Sequence, residues 1–240
     1  MSVVFITGSG RRIGKVLAIN FAKKGWDVAV NYNKSEIQAL ETVELCKSYG
    51  VRACAYKADV SNKKEVVSAI DKCIEDIGLP NVLVNNAGVF PKRTKIAEID
   101  ENLIDSTFAI NLKGEFFTSQ YFSQLAEPNS RIINIASLGA FEIWNGRLPY
   151  HISKSALIQM TKALAVELAP RISVNSVSPG AIEVIDDPAS DSSLISTDRI
   201  PMKRYGTPED VFDAVYFFAT TNSYITGQNI NVDGGYHYSR

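Results

Sequence analysis

Two hydrophobic periods alternate along the chain from its first residues. Val3–Thr7 is a short apolar run of strand character, broken by the glycine-bearing stretch Gly8–Gly14. Ile13, Leu17 and Phe21, with Val16 beside them, then recur on one helical face until Gly25 ends the pattern. The exchange repeats as strand Asp27–Tyr32, helix Glu36–Ser48, strand Arg52–Lys57, a helix marked by Val66, Ile70, Ile74 and Ile77, and strand Asn81–Asn85. A long helical pattern fills Glu101–Ala126. Strand Arg131–Ile135, helix Tyr150–Leu168, strand Ile172–Val177, helix Glu209–Thr220 and strand Gln228–Val232 complete the series.

Strands separated by helices of this length predict βαβ units and a parallel sheet covered on both faces. With right-handed crossovers the expected fold is α/β: a single doubly wound Rossmann-type domain over residues 1–240, built on a mainly seven-stranded parallel sheet. Ligands then bind outside the carboxyl ends of the strands. The stretch Glu183–Pro201, rich in Asp and Ser, interrupts the pattern at that edge and reads equally as a surface loop or a substrate lid.

Composition narrows the function. The 240 residues carry 25 basic and 26 acidic side chains, well interspersed, for a net charge of −1, which gives no footprint for nucleic acid or an anionic membrane. Cys46, Cys54 and Cys73 have no metal-like spacing and only His151 and His237 to join them, so no metal site is expected and the thiols read as reduced. Neither a secretory leader nor a membrane span is expected, and the protein reads as soluble and cytoplasmic.

The first strand-to-helix turn is Thr7-Gly8-Ser9-Gly10-Arg11-Arg12-Ile13-Gly14. Glycines let backbone approach a pyrophosphate, and a helix N-terminus offers it unpaired N–H groups. Gly8, Arg11, Arg12, Ile13 and Gly14 are therefore candidate cofactor contacts. NAD-binding folds place an acid at the end of the second strand to hold the ribose 2′-OH. Here that place reads Asn31-Tyr32-Asn33-Lys34-Ser35, with no acid before Glu36. Asn33 and Ser35, with Arg11 and Arg12, suit a 2′-phosphate, so NADPH/NADP is the expected cofactor, with Asn31 a further candidate contact at the same place.

Tyr150 and Lys154 stand four apart on a predicted helix, hence on one face. An adjacent cation favours phenolate, which makes Tyr150 a usable general acid near neutral pH. Ser137 follows the strand that ends at Ile135, where its hydroxyl can reach a substrate oxygen beside Tyr150.

With these come Asp59-Val60, Asn85-Asn86-Ala87-Gly88, Asn111 and Pro179-Gly180, in order along nearly the whole chain. The sequence resembles the short-chain dehydrogenase/reductase family in its compact form. The resemblance implies that Tyr150 protonates the substrate oxygen, that Ser137 orients it, and that Lys154 tunes the tyrosine and holds the nicotinamide ribose. Asn111 would support a proton relay to Lys154. Asp59 and Val60 would contact adenine, Asn86, Ala87 and Gly88 the adenosine ribose, and Pro179, Gly180 and Ile182 the carboxamide. It also implies a homotetramer, with the helices of Glu101–Ala126 and Tyr150–Leu168 at one interface and the Tyr224–Gly235 segment at another.

Two subfamilies compete for the substrate. The intact Asn111/Ser137/Tyr150/Lys154 set and the Asp233-Gly234-Gly235 ending resemble 3-oxoacyl-(acyl carrier protein) reductases, which reduce a carbonyl on a small or acyl-carrier-linked substrate. Arg12 in a glycine position of the loop, and Phe90 four residues after Asn86, resemble pteridine reductases acting on dihydropterin or dihydrofolate. Those carry Asp where this chain has Ser137, and Val184 replaces a threonine common at the carboxamide site. Phe90, Phe141 and Trp144 are candidate walls of the substrate pocket. Arg131 and Arg171 read as carrier-protein contacts or as solvated surface. A non-catalytic NADP(H) sensor is the remaining alternative, against which Ser137, Tyr150 and Lys154 all stand intact.

Overall fold

The residues of the five inner strands are buried almost throughout, as a sheet covered on both faces requires, whereas the two edge strands are only partly buried. The computed structural model describes residues 2–184 and 195–239. Its strands are β1 (Val3–Ile6), β2 (Asp27–Tyr32), β3 (Ala53–Lys57), β4 (Val82–Asn85), β5 (Ser130–Ile135), β6 (Ile172–Pro179) and β7 (Asn229–Val232). They form one seven-stranded sheet in the order β3-β2-β1-β4-β5-β6-β7, with every pairing parallel. The doubly wound α/β architecture expected from the alternation is the one observed.

Helices α1 (Arg12–Lys23), α2 (Glu36–Lys47) and α7 (Pro208–Thr220) cover one face, and α3 (Lys63–Ile77) and α5 (Glu115–Leu125) the other. Alternation along a strand divides the core accordingly. Val4 and Ile6 pack with Leu17, Phe21 and Phe218, whereas Val3 and Phe5 pack with Ile70, Ile77 and Phe122. Cys46 and Cys73 lie inside these clusters, where burial pushes each thiol up to about 12, so both are inert at neutral pH.

The long pattern Glu101–Ala126 is not one regular helix. It divides into α4 (Glu101–Phe108), a π-helical segment Ala109–Gly114, and α5. The wider turn admits Asn111 to the interior, where it is fully buried. Helix α6 (Leu148–Glu167) takes Pro149 in its first turn, where the missing N–H costs nothing. Of the stretch read as loop or lid, residues 185–194 lie outside the described residues; Thr197–Arg199 forms a short 3-10 turn. Among the described residues no helix is long and apolar enough to cross a membrane.

The chain reverses its direction of travel across the sheet at β1 and β4, which pair Ile6 with Val84. The loops leaving these two strands therefore stand side by side at the carboxyl edge, and the ligand crevice opens there.

Candidate active site

The glycine turn and the loop after β4 are bonded into one unit. Thr7 Oγ1 accepts from the amides of Asn86 and Ala87, each at 2.9 Å, and Asn86 Nδ2 donates to the Thr7 and Gly8 carbonyls at 2.9 and 3.1 Å. Gly14 is demanded by contact: a Cβ there would stand 2.5 Å from the Gly8 carbonyl oxygen. The close approach brings the start of α1 against the turn. No side chain caps that helix, so its first N–H groups remain for a ligand.

Asn31 lines the cleft and also supports the turn from beneath. It is buried; its Oδ1 accepts from the Gly8 amide at 3.1 Å, and its Nδ2 donates to the Tyr56 and Ala58 carbonyls. With both ends occupied it braces the turn rather than offering a donor to a phosphate. Asn33 donates to Asp59 at 2.8 Å. Burial acts to raise the Asp59 pKa, but hydrogen bonds from Ser61 and Asn33 and the charge of Lys34 hold it below the ordinary value.

The cleft running from here has a volume of about 960 Å³. One end is lined by Gly8, Arg11, Arg12, Ile13, Gly14, Asn31, Asn33, Ser35, Asp59 and Val60, with Asn86, Ala87 and Gly88 at its middle. Ser137, Tyr150, Lys154, Pro179, Gly180, Ile182, Phe90 and Trp144 line the other.

Strand β5 delivers Ser137, whose Oγ accepts from the Gly139 amide at 3.0 Å. The lone pair is thereby used inward and the hydroxyl proton is left to donate. Phe90 meets Tyr150 edge-on, with ring centroids 4.6 Å apart, and the Arg147 guanidinium lies 3.9 Å from the Phe90 ring centroid. His151, next to the tyrosine, bridges the Gly139 carbonyl at 2.7 Å and the Trp144 amide at 2.9 Å, fixing the loop that carries Trp144. Lys154 is buried, and its Nζ donates to the Ile135 carbonyl at 2.8 Å and to Glu115 Oε1 at 3.3 Å.

Known proteins resemble this chain along nearly its whole length. The family described as Enoyl-(Acyl carrier protein) reductase matches residues 8–237. A short-chain dehydrogenase/reductase from Serratia marcescens superposes with a TM-score of 0.92 at 31% identity, over 98% of each chain. The chain belongs to the short-chain dehydrogenase/reductase family. It is an oxidoreductase. A short-chain dehydrogenase from Burkholderia cenocepacia, solved in complex with NADP, superposes at 0.90 with 32% identity over 98% of this chain and 97% of its own. The 3-oxoacyl-[acyl-carrier-protein] reductase of Staphylococcus epidermidis is 36% identical over 96% of both chains.

One expected pocket residue of this short-chain dehydrogenase/reductase stands elsewhere than predicted. Phe141 does not line the cleft. The 3-10 turn Leu138–Ala140 carries it outward, where it is 40% exposed and faces the His237 ring at 5.7 Å. Asn111 lies buried beneath the loop after β4. Its amide accepts from the Val89 N–H at 2.8 Å and donates to the Val89 carbonyl and to Ser153 Oγ, tying the loop after β4 to α6 behind Lys154.

Other lining residues carried no sequence signal sharp enough to single them out. Lys34 and Gln38 join the Arg12 end, and Arg93, Arg147, Arg199 and Tyr236 the Tyr150 end. Arg131 and Arg171 bond to backbone carbonyls of neighbouring loops, Arg131 to Thr221 and Arg171 to Ala126, so both have structural partners.

Proposed function

We propose that the protein is an NADPH-dependent carbonyl reductase acting on 3-oxoacyl thioesters or comparably activated ketones. The observation that carries this reading is one cleft lined at one end by the glycine turn and at the other by Ser137, Tyr150 and Lys154. The residues fit the cofactor: Gly14 lets the uncapped start of α1 close onto the Gly8 turn, which suits a pyrophosphate, and Arg11, Arg12 and Lys34 supply cations at the adenosine end. When bound, NADPH supplies the hydride.

The rest of the chemistry falls to the chain. Tyr150 gives its phenolic proton to the substrate oxygen, and the Ser137 hydroxyl donates a hydrogen bond to the same atom. Lys154 favours the phenolate that remains. Of its three N–H donors two serve Ile135 and Glu115, which leaves one for the nicotinamide ribose. Asn111 holds the segment beside Lys154. Asp59 and Val60 border adenine, Asn86, Ala87 and Gly88 the adenosine ribose, and Pro179, Gly180 and Ile182 the carboxamide.

Arg12 and Phe90, the pterin-like features, both line the cleft, but the site around them suits a pterin less well. Position 137 holds no carboxyl to protonate a ring nitrogen, and one face of Phe90 lies against Arg147. A soluble cytoplasmic homotetramer made from one 1–240 domain is part of the same reading. Exposed Ile104, Phe116, Ile152 and Val166 on α4, α5 and α6 supply apolar surface for it.

The test is steady-state NADPH oxidation with a β-ketoacyl thioester, an activated ketone and a dihydropterin. The thioester or ketone is expected to give the highest kcat/KM. Phe90→Ala is expected to cost a short ketone little, since an aromatic pair contributes about 0.5–1.5 kcal/mol beyond area burial. Preferred turnover of the dihydropterin, with a large loss in Phe90→Ala, would contradict the reading.

A further inference from the structure

Beneath Lys154 lies a carboxylate that the proposed reaction does not use. Glu115 opens α5, directly after the π-helical segment, and its side chain is 2% exposed against 5% for Lys154. Oε1 is 3.3 Å from Lys154 Nζ; Oε2 is buried with no hydrogen-bond partner among the described residues. A carboxyl group half-satisfied in the interior is costly to keep, and an ordinary core position would carry an apolar or fully bonded side chain instead.

We propose that Glu115 is a positioning residue for Lys154, an internal counter-charge that anchors the ammonium behind the cofactor and grades its field with pH. The inference rests on the reading of Lys154 as the group that holds the nicotinamide ribose.

Charge supports this. Burial pushes the Glu115 carboxyl up to about 8, against the opposing pull of Lys154, so the group titrates within the working range of an enzyme. Lys154 on α6 is the charged group facing it. Tyr150 stands one turn earlier on the same helix, and β4 offers only the neutral Asn85, bonded to Thr118 and Ser119. From α3, Lys63 and Asp71 reach Gln120 and Tyr121, farther along α5. Below the Glu115 midpoint the neutral carboxyl accepts a hydrogen bond and leaves the ammonium field on Tyr150 unopposed. Above it the carboxylate forms a full ion pair with the ammonium and anchors it at 3.3 Å behind the cofactor, a hold that a neutral partner gives only weakly.

Glu115→Gln separates these roles, since the amide keeps the shape and the Oε1 acceptor but cannot ionise. The experiment measures NADPH dissociation constants by fluorescence titration from about pH 6 to about pH 9.5, in wild type and in Glu115→Gln. The two curves are expected to agree within about twofold at the acidic end and to separate at the alkaline end, the variant binding about fivefold or more weakly. Curves that stay parallel, whether superimposed or offset by one factor, would overturn the proposal, because a merely structural role changes affinity equally at every pH.

Carbon-13 NMR of glutamate-labelled protein without cofactor supplies an arm that does not depend on the cofactor reading. The resonance lost in Glu115→Gln is expected to titrate near 8. A midpoint in the ordinary carboxylate range would overturn the proposal whatever the cofactor does. Wild type that binds no NADPH, with that resonance titrating near 8, would instead count against the proposed function.

Discussion

Arg12 occupies the left-handed region, with φ +54°, at a turn position where glycine would sit without strain. An L-residue there costs about 1–2 kcal/mol, and what it brings is a guanidinium at the cleft. With Arg11 and Lys34 it gathers positive charge at the adenosine end, where a 2′-phosphate distinguishes the two nicotinamide cofactors. NADPH is expected to bind more tightly than NADH by about 1–3 kcal/mol, the range of one or two charge-assisted hydrogen bonds. Arg12→Gly should erode that preference about tenfold while thermal stability holds or rises, because backbone strain is relieved as the cation is lost. Titration calorimetry with both cofactors checks this; equal affinities in wild type would contradict it. Motif reading marks Arg12 and Asn31 alike, and both line the cleft, but nothing in a sequence says that the Asn31 amide has its bonds already spent on backbone.

Local electrostatics also decide how the elements are held. Helix α7 begins with a capping box: Thr207 Oγ1 accepts from the Asp210 amide, and Asp210 accepts from the Thr207 amide at 2.7 Å. Hydrogen bonding from Arg204 is the main force holding the Asp210 carboxyl down to about 2, against some opposition from burial and with further help from Thr207. A carboxyl whose folded pKa is depressed contributes stability that is present above its unfolded value and is lost as pH falls through the folded one. That contribution should therefore disappear between about pH 4 and about pH 2. Arg204 is half-exposed, so solvent screening keeps the effect small. Asp210→Asn should lower Tm by a few degrees at neutral pH and by nothing measurable near pH 2, as read by thermal scans at both. An equal loss at both pH values would place the effect in packing instead.

Periodicity announced the strands and most helix ends at this scale, because burial on both faces writes long apolar runs. It could not announce the π-helical turn inside Glu101–Ala126. The hydrophobic positions continue across it; the break exists so that Asn111 can point inward and Gly114 can pass Val60, whose Cγ2 would stand 2.7 Å from an added Cβ. Such a feature answers to tertiary contacts.

In the whole molecule, sheet order turns a list of weak motifs into a site. The Thr7–Gly8 turn and Asn86 come from distant parts of the chain and meet because β1 and β4 are neighbours. Ser137 and Tyr150 line that same cleft from β5 and α6. The alternation of elements made this convergence legible, together with the motif order. The electrostatics beneath it were not: Glu115 sits in an unremarkable helical stretch, and only folding reveals that it faces Lys154.

The convergence has a single kinetic consequence. Tyr150 is the one group in the cleft assigned to deliver the proton, whereas cofactor contacts are spread over many residues. Tyr150→Phe keeps the ring and its edge contact with Phe90 but removes the donor. The most direct measurement is therefore the turnover number for NADPH-dependent reduction of a β-ketoacyl thioester by wild type and Tyr150→Phe, paired with the NADPH dissociation constant of each. A kcat reduced by about 100-fold or more, with the dissociation constant nearly unchanged, is the predicted result. Wild-type turnover in Tyr150→Phe would contradict the account.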